Sequence, residues 1–406
     1  MDARVSESAF APFGRARPSV AGRAILQIIP RLDAGGAERT TIDVAAALVD
    51  AGARAFVASE GGRLASELQA VGGVLLPFPA ATKNPIAMAL NARKLARLVL
   101  DERVDLVHAR SRAPAWVALG ACRIAKRPFV TTFHGAYGGR SALKLSYNSI
   151  MARGDVVIAN SQFTADLVAG LYPQARDRLR VIHRGTDLKI FSPASVDRAR
   201  VARLRESWGV APHERIVLLA ARLTSWKGHK VLIEAASRLK DEGLGDVRYI
   251  LAGDAQARES YAKEIDALIE KYGAKGIVSR VGHCRDMPAA MLAASVVALP
   301  STKPEAFGRS AVEAQAMGAL VIVSDLGAVP ETVLAPPQTP PEGRTGWRIP
   351  PEDPTALAQA LKVALSLGAS AREAIARRAR AHVERNFSLQ QMTQQTLAAY
   401  LSVLSK

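Results

Sequence analysis

Cysteine is scarce in this chain of 406 residues. The two present, Cys122 and Cys284, lie far apart in sequence and in no metal-binding spacing. That excludes a disulfide framework and a zinc site, and both read as reduced core thiols of a cytoplasmic protein. Aromatic residues make up 5% of the chain and are not interleaved with the basic ones, which argues against stacking platforms for single-stranded nucleic acid. No run of about 18 uncharged apolar residues occurs, so no segment is expected to span a bilayer. Residues 1–22 lack the apolar stretch of a signal peptide and are expected to form a loose tail. The spacing Gly-x-Gly-x-x-Gly is missing after the first strand, which removes the dinucleotide fingerprint and with it an NAD-dependent enzyme.

Basic charge is abundant. Lys and Arg number 54 against 37 Asp and Glu, a formal net charge of +17. Between Arg93 and Arg153 there are 12 basic and 3 acidic residues. Such a surplus attracts polyanions, whether phospholipid headgroups, phosphorylated glycolipid or nucleic acid. Contact with a membrane surface and plain solvation of helix faces by arginine remain equal readings of it.

Hydrophobic residues, at 49%, suffice for more than one core, and the length favours two or three domains. Short apolar runs alternate with helical patterns throughout. Ala24–Ile29, Arg54–Ala58, Val104–His108, Phe129–Phe133 and Val156–Ala159 are strand candidates in a first series. Ile216–Ala220, Tyr249–Ala252, Ile277–Val281, Val296–Leu299, Leu320–Val323 and Gly346–Ile349 form a second, after the polar stretch Ser192–Arg205. Continuous apolar strands alternating with helices predict parallel sheets covered on both faces. The expected fold is α/β, with two doubly wound Rossmann-like domains facing a cleft. The boundaries read as 23–195, 196–387 and a closing helix, 388–406, that crosses back to the first domain. Ligands bind at the carboxyl ends of such sheets.

The most informative segment is 300–333, PSTKPEAFGRSAVEAQAMGALVIVSDLGAVPETV. Pro304 is read as a helix boundary, with Glu305 and Glu313 eight residues apart around the helix start. Eight helical steps cover roughly 12 Å, which suits carboxylates at the sugar and the ribose of one extended ligand. Between them the free amides of Gly308, Arg309 and Ser310 form an anion site fit for a diphosphate. A second segment, LLAARLTSWKGHKVLIEA at 218–235, places Arg222 and Lys227 after a strand and beside a glycine turn, again fit for a diphosphate.

The run EAFGRSAVEAQAMG at 305–318 resembles the Glu-x7-Glu context of glycosyltransferase family four, with Phe307, Gly308, Ala314 and Gly318 in place and Arg309 where Leu is more usual. Arg222, Lys227 and Gly228 resemble the family's R-x4-K-G. LAGD at 251–254, with Gly253, resembles its strand end near the nucleotide, and His283 and Arg285 fall in the segment similar to its base-binding loop. VIHRGTDLKIFSP at 181–193 resembles its linker, with Arg184 in place of the usual Asn. Gly35-Gly36 looks like its glycine loop near donor phosphate and acceptor, and His134 like the histidine facing the donor sugar.

The resemblance covers about 24–390. It implies the GT-B architecture and retaining transfer from a nucleotide-diphosphate sugar without cofactor or metal. The chain has no Asp-x-Asp, in keeping with cations doing the work of a metal ion. Arg222, Lys227 and the 308–310 amides would stabilise the leaving diphosphate, Glu305 would orient the sugar, and His134 would support it from the other domain. The implied acceptor is an anionic lipid-linked saccharide such as a lipopolysaccharide core, met at the inner-membrane surface; nucleic acid is not an expected partner. A nucleotide-sugar 2-epimerase shares this architecture but lacks the Glu-x7-Glu context. A basic nucleic-acid-binding protein is suggested by charge alone.

Overall fold

The computed structural model describes residues 19–33, 35–135, 141–255 and 259–405. Most of the expected tail, residues 1–18, lies outside them.

Seven parallel strands build the first sheet: β1 (Ala24–Ile28), β2 (Arg54–Ser59), β3 (Val74–Pro77), β4 (Leu106–Ala109), β5 (Phe129–Phe133), β6 (Val156–Ala159) and β7 (Leu179–Val181). Their order is β3-β2-β1-β4-β5-β6-β7. The second sheet holds β8 (Arg215–Ala220), β9 (Val247–Ala252), β10 (Val278–Gly282), β11 (Val296–Leu299), β12 (Leu320–Ser324) and β13 (Trp347–Ile349). It runs β10-β9-β8-β11-β12-β13 and is likewise parallel. Every residue of β1, β4, β5, β6 and β12 is buried, because helices cover both faces. The expected α/β fold with two doubly wound halves is therefore the observed one.

Each sheet reverses its winding at one place, between β1 and β4 in the first and between β8 and β11 in the second. These switch points open a crevice at the strands' carboxyl ends. The chain after β1, β8 and β11 carries Gly35-Gly36, Arg222 with Lys227, and Glu305 respectively.

The last helix, Leu389–Leu404, packs on the first half. Tyr400 is fully buried there, among Ile25, Ile29 and Val130. Its hydroxyl meets His108 Nδ1 at 2.7 Å, and His108 Nε2 meets Thr132 Oγ1 at 2.7 Å. This polar chain satisfies three buried groups that would otherwise be costly.

Three local expectations change. The edge strands β3 and β7 carry no fully buried residue and so lack the apolar run that marks the others. The polar stretch 192–205 contains most of a helix, Arg198–Ser207, which buries none of its residues and is started by the Asp197 side chain accepting from the Arg200 amide. The helix after β11 begins at Arg309, not near Pro304. Gly308 caps it at φ 83°, a left-handed conformation open to glycine.

Candidate active site

Two loops of the second half are pressed together at the switch point. The backbone turns at Gly228 with φ 77°, where an added Cβ would stand 1.8 Å from the Pro300 carbonyl oxygen. The Thr302 amide donates to the Trp226 carbonyl at 2.8 Å. This contact brings Lys227, after β8, against Glu305, after β11. Lys227 Nζ donates to Glu305 Oε1 at 2.5 Å and lies 4.2 Å from the centre of the Trp226 ring. Ser301 Oγ donates to the same carboxylate oxygen at 2.7 Å. Glu305 is further fixed by its backbone, which bridges to Gly327 and accepts from the Ala328 amide at 2.8 Å.

Beyond Glu305 the helix Arg309–Ala316 points its amino end at the crevice. Ser310 Oγ donates to the Ala220 carbonyl at 3.1 Å, so the helix start is tied to the end of β8. The amides of Gly308, Arg309 and Ser310 precede the first intrahelical bond and remain available to an anion. Arg222 is exposed beside them and has no carboxylate partner among the described residues.

The first half supplies the facing wall. Gly35 caps the helix Gly36–Asp50 after β1, His134 follows β5, Asn160 follows β6 and Arg184 follows β7. Arg184 Nη2 lies 3.3 Å from His134 Nδ1 and 3.3 Å from the His134 carbonyl oxygen. A guanidinium only donates, so His134 Nδ1 accepts and the ring proton resides on Nε2. Burial, then the nearby Arg184 and Arg110 charges, hold the His134 pKa well below its ordinary value. His134 is a neutral ring in this setting.

One cleft of 530 Å³ joins the two walls, a volume suited to a small-molecule ligand. It is lined by Gly35, Gly36, His134, Arg222, Lys227, Glu305, Phe307, Gly308, Arg309 and Ser310, all singled out from sequence. Four other candidates do not line it. Glu313 is 8% exposed inside the helix and accepts from Arg309 Nε at 2.7 Å. The helix starts at Arg309, so only the last four of the eight steps from Glu305 to Glu313 are helical. Gly253 packs behind Arg222, where a Cβ would stand 1.8 Å from the Ala221 carbonyl oxygen. Its lack of a side chain lets β8 and β9 end close together. His283 and Arg285 follow the left-handed Gly282, φ 72°, which turns the chain away toward the helix Arg198–Ser207. They line a separate hollow with Trp208 and Asp286, and Asp286 is anchored by Arg200 at 2.7 Å.

Asn160, Arg184 and Trp226 line the cleft without a sequence signal of their own. Asn160 was accessible to the same rule that found His134, since both are the first residue after a buried strand. Arg184 stands where the resembling family has Asn, and Trp226 sits inside the Arg222–Lys227 spacing.

Two family models match the chain, Glycosyltransferase Family 4 over residues 34–190 and Glycosyl transferases group 1 over 201–382. A glycosyltransferase of Rickettsia africae, solved by crystallography, is 34% identical, with 95% of this chain and 99% of that one covered and a TM-score of 0.86. The chain belongs to glycosyltransferase family 4. Another structure similar to this glycosyltransferase is that of Anabaena HepE in complex with UDP and glucose. It is 27% identical, with 94% and 99% of the two chains covered and a TM-score of 0.79. Among curated relatives, the D-inositol 3-phosphate glycosyltransferase of Xylanimonas cellulosilytica is 33% identical over 189 residues. That match spans 46% of this glycosyltransferase and 44% of the relative's length.

Proposed function

We propose that this glycosyltransferase moves a sugar, with retention, from a UDP- or GDP-linked donor to a lipid-linked or envelope saccharide, in lipopolysaccharide biosynthesis. The carrying observation is the convergence of Arg222, Lys227, Glu305 and an open helix start on one wall, opposite Gly35-Gly36 and His134 on the other. In this reading the diphosphate lies on the second half, held by Arg222, Lys227 and the 308–310 amides. The bond between the anomeric carbon and the diphosphate breaks, and the acceptor oxygen bonds to that carbon on the same face. The acceptor's proton passes to the departing phosphate oxygen. Fixed donors aimed at the charge that develops there lower the barrier without metal coordination. Glu305 orients the sugar hydroxyls, and His134 supports the sugar from the first half. The Anabaena complex with UDP and glucose supports the nucleotide part of the reading.

The proposed division falls between residues 195 and 196. The first half also carries the basic surplus. Arg93, Lys94 and Arg97 are exposed on the helix Pro85–Asp101, with Ile86 at 74% and Leu90 at 52% exposure on the same outer face. Mixed cationic and apolar exposure supports peripheral contact with an anionic lipid surface, on the cytoplasmic face of the inner membrane. No helix among the described residues is long and apolar enough to cross a membrane. The relatives named for D-inositol 3-phosphate support a second reading, a phosphorylated polyol acceptor free of lipid.

A thermal-shift screen against UDP-, GDP- and ADP-sugars tests the donor. Stabilisation by a UDP- or GDP-sugar, and loss of transfer in Glu305→Ala with the fold retained, are the expected results. Full activity in that variant removes the sugar-orienting role.

A further inference from the structure

Arg184 is a cation that the diphosphate site of the second half does not use. No carboxylate lies within ion-pairing distance of it among the described residues, although Glu38 and Glu305 act on it from farther away. Its Nε is sealed from solvent with no hydrogen-bond partner, and the same is true of His134 Nε2 beside it. A half-buried cation with no carboxylate partner at a cleft wall is costly unless a ligand balances its charge.

The direction of the guanidinium is defined by Gly36. A Cβ added there would stand 2.2 Å from Arg184 Nη1, so the missing side chain is what admits the arginine to the cleft. At the same spot begins the 15-residue helix Gly36–Asp50, whose first amides have no intrahelical acceptor. Arg184 and the helix start therefore converge on one small volume of the first half. The Glu38 carboxylate folds back to the edge of that volume, with Oε2 2.1 Å from where a Cβ on Gly35 would stand. An acidic group fits the electrostatics of this place.

The position decides whose acidic group it is. Arg222, Lys227 and the 308–310 amides already answer the donor's diphosphate from the opposite wall. We propose that Arg184 and the start of the Gly36–Asp50 helix bind an oxyanion carried by the acceptor, a phosphate or a carboxylate, next to the acceptor's reacting hydroxyl. The proposal rests on the glycosyltransferase reading above and deepens it: the accepted molecule is acidic close to its site of glycosylation, not only at a distant lipid anchor. The bidentate geometry of a guanidinium suits either group.

Titration calorimetry on the full chain tests this, with UDP saturating and ionic strength held constant by sodium chloride. The probes are inorganic phosphate and glucuronate, with glucose as the neutral control. Wild type is expected to bind phosphate or glucuronate and not glucose, and the probe that binds tells phosphate from carboxylate. Arg184→Gln is expected to weaken that anion at least ten-fold with its UDP affinity unchanged. Arg184→Lys, which keeps the charge but not the paired donors, is expected to fall between them and serves if the Gln variant fails to fold. The proposal is overturned if neither anion binds wild type, or if both variants bind the anion as wild type does. It is also overturned if UDP affinity falls as far as anion affinity, which would place Arg184 on the donor. Failure of UDP itself to bind would count against the nucleotide-sugar reading. The phosphate and glucuronate titrations, repeated without UDP, would then still judge Arg184.

Discussion

His134 and Lys227 carry opposite kinds of chemistry in the same cleft. His134 is held neutral by burial and by the arginines around it, so it contributes no charge. Sugar transfer measured from pH 6 to pH 8 is therefore expected to lack an inflection from this ring. An inflection near 6.5 that disappears in His134→Gln would contradict the assignment. In the proposed mechanism Lys227 acts as charge on the leaving diphosphate. Removing one preorganised donor from a developing oxyanion typically costs 10²–10³ in rate, roughly 3–4 kcal/mol. Lys227→Ala is expected to lose about that much kcat, read by steady-state kinetics, with its melting temperature little changed. Asp43, on the Gly36–Asp50 helix, behaves differently. Burial pushes its pKa up to about 6 from an ordinary 3.8, against the pull of Arg309 and Arg39. The folded state thus holds this proton more tightly than the unfolded chain, and the group costs stability as pH rises from 3.8 to 6. Melting curves of Asp43→Asn are expected to lie above wild type at pH 7.5, with the gap closing toward pH 4.

Among the elements, the helix Gln162–Leu171 of the first half is capped by a side chain of the second. Glu331 accepts from the amides of Gln162 at 2.7 Å and Phe163 at 2.8 Å, and pairs with His183 Nε2 at 2.9 Å. A carboxylate at a helix start is favoured by both the free amides and the helix dipole. Burial alone would raise the Glu331 pKa, but His183 and the two amides outweigh it and hold the carboxyl below its ordinary 4.5. The clasp therefore contributes stability at neutral pH that is lost as pH falls below about 4.5. Glu331→Gln is expected to lower the melting temperature at pH 7 by a few degrees, for a loss of about 1–2 kcal/mol, and to match wild type near pH 3.

The clasp also marks what could be read from sequence. Buried strands such as Val296–Leu299 and Leu320–Ser324 were legible because burial on both faces leaves an unbroken apolar run. Glu331 was not, since its partner amides lie about 170 residues away and a cap across domains has no local spacing. For the same reason Glu305 and Arg222 were found through their motif context. Arg184 gains its meaning only from the fold, which brings it from beyond β7 to the cleft. Spacing misleads where Gly308 delays the helix to Arg309, so that eight residues from Glu305 to Glu313 are not eight helical steps.

At the scale of the molecule, two sheets with matching switch points put a positive wall against a glycine wall, and one outer face of the first half is basic. Each basic side chain near an anionic bilayer contributes about 1 kcal/mol. The proposed membrane contact predicts co-sedimentation with phosphatidylglycerol vesicles but not with phosphatidylcholine. The charge-reversed variant Arg93→Glu, Lys94→Glu, Arg97→Glu should lose most of it while keeping its nucleotide affinity. Equal binding by that variant would assign the charge to solvation.

The division of labour between the two walls is tested most directly by titration calorimetry of UDP and GDP into wild type, Lys227→Ala and His134→Ala, with sugar transfer measured on the same samples. Lys227→Ala should weaken the preferred nucleotide at least ten-fold and His134→Ala should leave it unchanged, while transfer falls in both. Nucleotide binding that is absent from wild type, or indifferent to Lys227, would contradict the account.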